Sequence, residues 1–198
     1  KNILSCNSSI RGEQWDEYPF FPSIMKHAGY QVYLWDNQRE AFESTAFTFS
    51  LNSYLYDDKI QRLSYTKVND RSFDYDADLI DDLAKHIKHK GKHNLLMIHL
   101  MGQHFGAGKR FPHQSFSVFQ EKDVPNRAVY MTEEKRQEVA DYDNATLYND
   151  YVLKKVMDLF REEPTVMISF SDHGEEIYDY RDSKGRADVE NIIYGKYF

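Results

Sequence analysis

The sequence predicts an α/β protein in which a largely parallel sheet lies between two layers of helices. Two observations support this fold. An amphipathic helical pattern is followed three times by a short, almost wholly apolar strand pattern, as expected of parallel strands buried on both faces. Each of the three strands also ends in polar residues. The 198-residue chain is 41% hydrophobic, which is enough for a core of this kind. We therefore expect a single three-layer α/β/α sandwich domain over residues 1–198.

The first helix and strand come before residue 38. The helix starts at one of the prolines in "EYPFFP" and ends at Gly29, because proline suits the first turn and glycine the end of a helix. A strand then runs over residues 30–35 and ends in Asp36 and Asn37. These two residues fit equally well as ordinary turn residues or as groups that order a site. We leave the structure of the aromatic-rich insertion at residues 39–75 open.

The second helix starts at Asp74 or Asp76, either of which is a suitable cap, and stops at Gly91. Basic residues fill its last turn. We interpret the group "HIKHKGKH" as a solvated helix end rather than a metal site, since its lysines would repel a cation; it contains His86, His89 and His93. The strand "NLLMIHL" follows at residues 94–100.

The third helix starts at Thr132, with Glu133 and Glu134 in its first turn, and runs for about thirty residues until Pro164 breaks it. The apolar run "TVMISFS" at residues 165–171 then reads as a third strand. Residues 106–131 read as a long loop, and such loops at the active edge of a sheet are often lids or substrate walls.

Composition excludes several classes of function. The net charge of -7 is spread along the chain, so a nucleic-acid partner is poorly supported. Cys6 is the only cysteine, which rules out a disulfide within the chain and a cysteine-based zinc ribbon. No apolar run approaches the roughly 20 residues that cross a bilayer.

The chain begins in mid-pattern, with Ile3 and Leu4 already apolar, so we expect it to be a piece of a longer protein.

Asp172 and His173 follow the third apolar run directly and are candidate metal ligands. Ligands of parallel α/β sheets bind beyond the carboxyl ends of the strands. Adjacent residues of a strand point to opposite faces, but Gly174 allows a turn that brings both side chains to one ion. The alternative is that Asp172 caps a helix and His173 lies on the surface. Glu175 and Glu176 beside the pair favour the metal site.

Two further histidines flank the turn after the second strand. His104 stands after a glycine-containing turn, where an imidazole can contact a metal or a phosphate and move protons near neutral pH. His99 lies within the strand, and we expect it to be a hydrogen-bonded core histidine. Serines near the start have no visible base beside them and fit capping or turn roles; they are Ser5, Ser8 and Ser9.

Four ordered stretches resemble the phosphoethanolamine transferases of the sulfatase and alkaline-phosphatase superfamily. They are "PSIMKHAGYQVYLWDNQ", "HLMGQH", "YDNATLYNDYVL" and "SDHGEE". The resemblance covers most of the chain and implies an alkaline-phosphatase-like fold. It also implies a zinc enzyme with one or two ions, or another divalent metal, held in part by Asp172 and His173.

The same resemblance assigns further roles. His104 would contact the phosphoryl group or a second metal, although Gln103 departs from the family's more familiar serine. From its place after the first strand, and not from the resemblance, Asn37 is a further candidate for substrate binding together with His104. An acidic ligand and the nucleophilic threonine would precede Lys1. A later family histidine has no counterpart, since no histidine follows His173.

The implied reaction moves phosphoethanolamine from phosphatidylethanolamine, through a phosphothreonine intermediate, to lipid A, lipopolysaccharide or another envelope glycan. The whole enzyme would sit in a bacterial inner membrane through an N-terminal anchor that lies outside this chain, with this domain in the periplasm. The alternatives are a sulfatase-like hydrolase, either a sulfatase or a phosphodiesterase, and an inactive fragment without its nucleophile. Residues 1–198 alone are expected to be inactive.

Overall fold

A computed structural model describes residues 20–38, 58–87 and 91–185. The chain divides into two compact units, residues 1–101 and 102–198. The expectation of one domain over residues 1–198 stays a prediction. Several residues discussed above lie outside the described ranges, namely Ser5, Cys6, Ser8, Ser9 and His89.

The first unit contains a three-stranded parallel sheet. Its strands are β1 (Gln31–Asp36), β2 (Lys67–Val68) and β3 (Asn94–His99), in the order β2-β1-β3. Strands β1 and β3 pair along their whole length, from Gln31 opposite Asn94 to Asp36 opposite His99. The carboxyl ends of the two strands therefore coincide at one edge of the sheet.

Helices cover both faces of this sheet. On one face, Val32 and Leu34 pack into a buried cluster with Ile60 of helix α2 (Asp58–Ser64), against which Met25 of helix α1 (Phe21–His27) also packs. On the other face, the indole Nε1 of Trp35 donates to Asp82 of helix α3 (Asp76–His86) at 2.9 Å. Because alternate strand residues point to opposite faces, the predicted parallel sheet between helical layers is confirmed.

The start of α3 differs from the prediction, because neither Asp74 nor Asp76 caps it. Tyr75 occupies the cap position without a side-chain cap bond. Asp76 is instead a buried first residue whose Oδ1 accepts hydrogen bonds from Asn37 Nδ2 at 2.8 Å and Met101 N at 3.0 Å. The Asp76 carboxylate therefore bonds to residues distant in sequence and does not cap the helix. The basic last turn of α3 is confirmed, although the helix ends at His86, before Gly91.

The second unit is built on a long helix. Its elements are α4 (His113–Phe116), α5 (Glu133–Leu159), β4 (Glu176–Ile177) and β5 (Lys184–Gly185), with β4 and β5 antiparallel. Thr132 caps α5 as predicted, since its side chain accepts a hydrogen bond from Lys135 N at 3.3 Å. The helix has 27 residues and ends at Leu159, five residues before Pro164.

The prediction of a third strand at residues 165–171 is wrong, because none of these residues forms a strand in the described structure. The segment has no regular secondary structure and pairs with no described strand. Its apolar side chains are also exposed, with Val166 88%, Ile168 79% and Phe170 63% accessible. A strand needs a neighbour for its backbone N–H and C=O groups, and an apolar sequence supplies no such partner by itself.

The loop before α5 is tied to that helix by Asn144, which is buried. Its Oδ1 accepts from the backbone N of both Val118 and Phe119 at 2.9 Å, and its Nδ2 donates to the Phe119 carbonyl at 2.9 Å. The loop expected at residues 106–131 also contains α4 and two short 3-10 turns, Ala107–Lys109 and Glu121–Asp123. Across the described ranges, no helix is both long and apolar enough to span a membrane.

Candidate functional site

Asp172 and His173 bring their side chains together. The Nε2 atom of His173 lies 3.3 Å from Oδ1 of Asp172, and the other ring nitrogen, Nδ1, lies 2.9 Å from the carbonyl oxygen of Gly174. The chain turns here as expected, so neighbouring residues face one point. The Asp172 side chain is 80% exposed and that of His173 is 26% exposed.

This geometry fits two ligands of one zinc ion. Ligand atoms about 2.1 Å from a tetrahedral ion lie about 3.4 Å from each other, close to the observed separation of His173 Nε2 and Asp172 Oδ1. Donation from Nδ1 to Gly174 leaves the lone pair on Nε2, the arrangement that orients metal-binding histidines. Within the described residues, no group of three or more His, Cys, Asp or Glu side chains is placed to hold a metal. Metal binding by Asp172 and His173 therefore stays a prediction, and it would need further ligands.

Acidic groups surround the residues that follow this pair. Burial raises the pKa of Tyr142, and the charges of Glu175, Asp179 and Asp143 raise it further. Because these carboxylates act on the same phenol, they create a negative local field that favours a nearby cation. Glu176 does not add to this field in the same way, since Arg181 donates to both of its carboxylate oxygens, with Nε 2.8 Å from Oε2.

The hairpin after the pair is held at Tyr178, the one residue other than glycine with a positive φ (58°) among those described. Its backbone N donates to Ser183 O at 3.0 Å, its carbonyl accepts from Asn126 Nδ2 at 2.9 Å, and its hydroxyl donates to Glu138 Oε2 at 2.9 Å. Such a backbone conformation costs about 1–3 kcal/mol and persists only where its surroundings fix it. The chain beyond Gly174 is thus firmly anchored to α5.

His104 is exposed, in the turn predicted to present it. Arg110 braces this turn through its side chain, with Nε 3.1 Å from the His104 carbonyl oxygen and Nη2 2.7 Å from that of Phe105. Gln103, where the family more commonly has serine, donates to Thr146 of α5 at 3.3 Å. The contact of His104 with a phosphoryl group or a second metal stays a prediction.

Asp36 and His99 form a pair that the sequence did not reveal. His99 Nδ1 lies 3.0 Å from Asp36 Oδ1, with the carboxylate side chain 1% exposed and the imidazole 44% exposed. The predicted hydrogen bond of His99 is confirmed, but the prediction of a core position is wrong, because the ring lies at the strand end. The signal that could have found the pair is the position of both residues at the ends of adjacent apolar strands.

Asn37 is buried within a network of structural hydrogen bonds. Its Nδ2 donates to Asp76 Oδ1 at 2.8 Å, and its Oδ1 accepts from the backbone N of Phe73 at 2.7 Å. Both ends of the amide are therefore engaged in holding the loop after β1. Substrate binding by Asn37 stays a prediction.

The sequence matches the sulfatase family over residues 2–194. It is 28% identical over 165 residues to the phosphoethanolamine transferase EptC of Escherichia coli O18:K1:H7 (strain RS218 / NMEC), covering 81% of this chain and 27% of that protein. It is also 28% identical over 181 residues to the phosphoethanolamine transferase EptA of Helicobacter pylori (strain ATCC 700392 / 26695), covering 88% of this chain and 32% of that protein. The chain thus spans less than a third of the length of these relatives.

The fold is similar to that of the C-terminal periplasmic domain of EcEptC from Escherichia coli, in a crystal structure of its complex with Zn. The TM-score is 0.69 at 25% sequence identity, and the match covers 93% of this chain and 51% of that chain. This similarity confirms the predicted alkaline-phosphatase-like fold. With the match over nearly its whole length, the chain belongs to the sulfatase family.

Proposed function

We propose that the protein containing this chain transfers phosphoethanolamine from phosphatidylethanolamine to lipid A, lipopolysaccharide or another envelope glycan. The observation that carries the proposal is the convergence of Asp172 Oδ1 and His173 Nε2 at 3.3 Å, in a chain similar to two phosphoethanolamine transferases. In this proposal the domain lies in the bacterial periplasm and an N-terminal segment outside this chain anchors the protein in the inner membrane.

Asp172 and His173 would hold a zinc ion, and the solved structure of the EcEptC domain in complex with Zn supports a metal of this kind. Bound zinc would supply Lewis-acid stabilisation of charge on the phosphate oxygens and favour the ionised nucleophile. His173 contributes a ring whose tautomer is set by Gly174, and Asp172 contributes an exposed carboxylate. The remaining ligands, and a second ion if there is one, would involve residues outside the pair.

The reaction would have two steps. A threonine preceding Lys1 attacks the phosphorus of the head group, forms a phosphothreonine ester and releases diacylglycerol. A hydroxyl or phosphate oxygen of the acceptor then takes the head group and restores the threonine. His104, exposed on a turn that Arg110 braces, would bind the phosphoryl oxygens during both steps.

A hydrolase is the second candidate, since the family over residues 2–194 is described simply as sulfatase. Such an enzyme would use the same pair of ligands and pass the intermediate to water. Products separate the two functions: a transferase yields a modified lipid, whereas a hydrolase yields free phosphoethanolamine or sulfate.

The test uses a longer protein that includes the residues before Lys1. It is incubated with phosphatidylethanolamine and lipid A, and the lipids are analysed by mass spectrometry. We expect lipid A to gain phosphoethanolamine, and Asp172→Ala to lower the rate by more than the roughly 10–100-fold that follows loss of an outer-shell partner of a metal. His27→Ala, a change at an exposed residue of α1, is the matched control and should leave the rate unchanged. Free phosphoethanolamine without modified lipid A would indicate the hydrolase.

A further inference from the structure

A charged cleft of about 250 Å³ lies within the second unit, and neither Asp172 nor His173 belongs to its lining. The cleft is lined by three cations and two carboxylates, namely Lys122, Arg127, Arg136, Glu121 and Glu133. Its volume is below the roughly 300–1,000 Å³ of pockets that hold drug-sized molecules, so it suits a small ligand. The charged lining favours a ligand that is itself charged.

Backbone carbonyls hold both arginines of the cleft in place. Arg127 Nη2 donates to the Lys122 carbonyl at 2.9 Å, and its Nη1 donates to the Val124 carbonyl. Arg136 Nη1 donates to the Met131 carbonyl at 2.6 Å. Val124 and Met131 are both buried in one apolar cluster, which gives the two guanidinium groups a rigid base. The groups are therefore positioned before a ligand binds, and this lowers the entropic cost of binding.

The carbonyl contacts occupy only part of each guanidinium group, since an arginine has five N–H donors. In the described part of the chain, Arg127 and Arg136 make no other side-chain hydrogen bond and no ion pair. Their remaining N–H groups can bind phosphate oxygens in pairs, a geometry that favours arginine over lysine. The cleft thus offers preformed donors for a phosphate group.

Two other arginines of this unit pair with a carboxylate. Arg161 donates to Asp158, and Arg181 donates to Glu176, with Nε 2.8 Å from Oε2. The cleft differs, because across residues 91–185 neither of its glutamates forms an ion pair with any of its three cations. Opposite charges that line one cleft without pairing leave room for a ligand that carries both charges.

We propose that this cleft binds the phosphoethanolamine head group of the donor lipid, in addition to the site at Asp172 and His173. The choice of this head group rests on the proposed function. Phosphoethanolamine is a zwitterion, with a phosphate and a primary ammonium group at the two ends of a short chain. The two arginines and the lysine bind the phosphate oxygens, and the two glutamates accept hydrogen bonds from the ammonium group.

The first test titrates the longer protein with glycerophosphoethanolamine, the donor lipid without its acyl chains, in a calorimeter. Every protein in the titration carries Asp172→Ala, which weakens the proposed metal site. Arg127→Gln and Arg136→Gln should each raise Kd at least about tenfold, as expected on loss of hydrogen bonds between charged groups. Arg161→Gln, at an exposed arginine outside the cleft, is the matched control and should leave Kd within about threefold.

The second test uses two ligands to measure the role of the glutamates. Glu121→Gln and Glu133→Gln should raise Kd for glycerophosphoethanolamine at least about threefold, because the attraction of a carboxylate for the ammonium group is lost. Inorganic phosphate should bind these variants as tightly as the parent or more tightly, since a repelling charge has been removed. Glu134→Gln, at an exposed neighbour outside the cleft, is the control and should change neither Kd.

Unchanged Kd in both arginine variants would overturn the site. Glutamate variants that bind glycerophosphoethanolamine like the parent would show a simple anion site and overturn the zwitterion. Binding of free phosphoethanolamine but not of its glycerol ester would overturn the assignment to the donor lipid. Thermal unfolding shows whether each variant keeps its fold, and Glu133→Gln, at an exposed position, keeps the test decisive if an arginine variant unfolds.

The lipid A assay separates this inference from the proposed function. It is run on the parent protein with Asp172 intact. Modified lipid A together with cleft variants that bind like the parent would refute the cleft and leave the transferase standing. Selective head-group binding without modified lipid A would support the cleft and refute the transferase.

Discussion

His173 is held between two oxygen atoms, with Nε2 3.3 Å from Oδ1 of Asp172 and Nδ1 2.9 Å from the carbonyl oxygen of Gly174. The second contact fixes the ring and its tautomer, and the first places a nitrogen and a carboxylate oxygen at the separation of two zinc ligands. The bend at Asp172 and His173 thus gives two neighbouring residues of the sequence a geometry that a chelating pair would need. A simple surface ion pair would need only the contact between His173 Nε2 and Asp172 Oδ1, without the bond to the Gly174 carbonyl.

Zinc binding by the longer protein should depend on this pair. Asp172→Ala and His173→Ala each remove a ligand, so we expect each to weaken zinc binding by more than the 10–100-fold that is typical of losing an outer-shell partner. The measurement is zinc content after dialysis against a competing chelator. His27→Ala serves as the control for loss of an exposed histidine. Unchanged zinc content in both variants would show that the pair does not bind the metal.

Residues 1–198 by themselves should bind zinc weakly and have no transferase activity. The described part of the chain offers only the two predicted ligands Asp172 and His173 and no group of three that could hold a metal, whereas a catalytic zinc site has three from the protein. We expect isothermal titration with zinc to give a much lower affinity than for the longer protein. Activity is measured with the lipid A assay described above. Robust head-group transfer by residues 1–198 alone would contradict the proposed position of the nucleophile.

Asn37→Ala should lower the free energy of unfolding, because Asn37 is buried and hydrogen-bonded although it lies just after a strand. The substitution removes one of the two hydrogen bonds to Oδ1 of the buried Asp76 carboxylate, leaving that from Met101 N, and takes away the side-chain acceptor of the Phe73 backbone N. Loss of such buried hydrogen bonds costs about 1–3 kcal/mol, so we expect the free energy of unfolding in urea to fall by about that much.

Asp74→Ala, at an exposed residue near the same helix start, is the control and should change stability by less than about 0.5 kcal/mol. Wild-type stability combined with weakened donor binding in Asn37→Ala would instead show that Asn37 binds substrate.

The parts of the fold that the sequence predicted are those set by local patterns. Helix α1 with its early proline, the cap at Thr132 and the apolar strands β1 and β3 follow from periodicity and capping rules. The close approach of the Asp172 and His173 side chains was also expected, although Gly174 has no positive φ and the chain bends at the pair itself.

The parts that the sequence did not predict depend on contacts between distant residues. Asp76 has the residue type and the position of a helix cap, but its carboxylate accepts hydrogen bonds from Asn37 and Met101 instead. The apolar run at residues 165–171 has the composition of a strand, but strand formation depends on a pairing partner. The contact between Asp36 and His99 joins residues 63 positions apart, so the sequence could suggest it from two neighbouring strand ends, but only the register of β1 and β3 shows it.

Glu138 should make stability depend on pH in the acid range. Burial raises the pKa of this carboxyl, but hydrogen bonds from Lys184 and Tyr178, together with the charges of Lys184 and Lys135, outweigh burial and leave the pKa below its ordinary value of 4.5. The unfolded state therefore binds the proton more readily than the folded state. The stabilisation is fully present above the ordinary pKa and is lost as the pH falls through the folded value.

Glu138→Gln should remove this stabilisation. Because the Glu138 side chain is 43% exposed, solvent screens the pair, and we expect the loss at pH 7 to be below about 1 kcal/mol. The difference from the parent protein should shrink as the pH falls below the ordinary carboxyl pKa of 4.5, which urea unfolding at several pH values will measure. Glu162→Gln, at an exposed glutamate beyond α5, is the control. A difference that stays constant with pH would show that the Glu138 carboxylate acts through packing, because only an ionised group with a lowered pKa loses its contribution in acid.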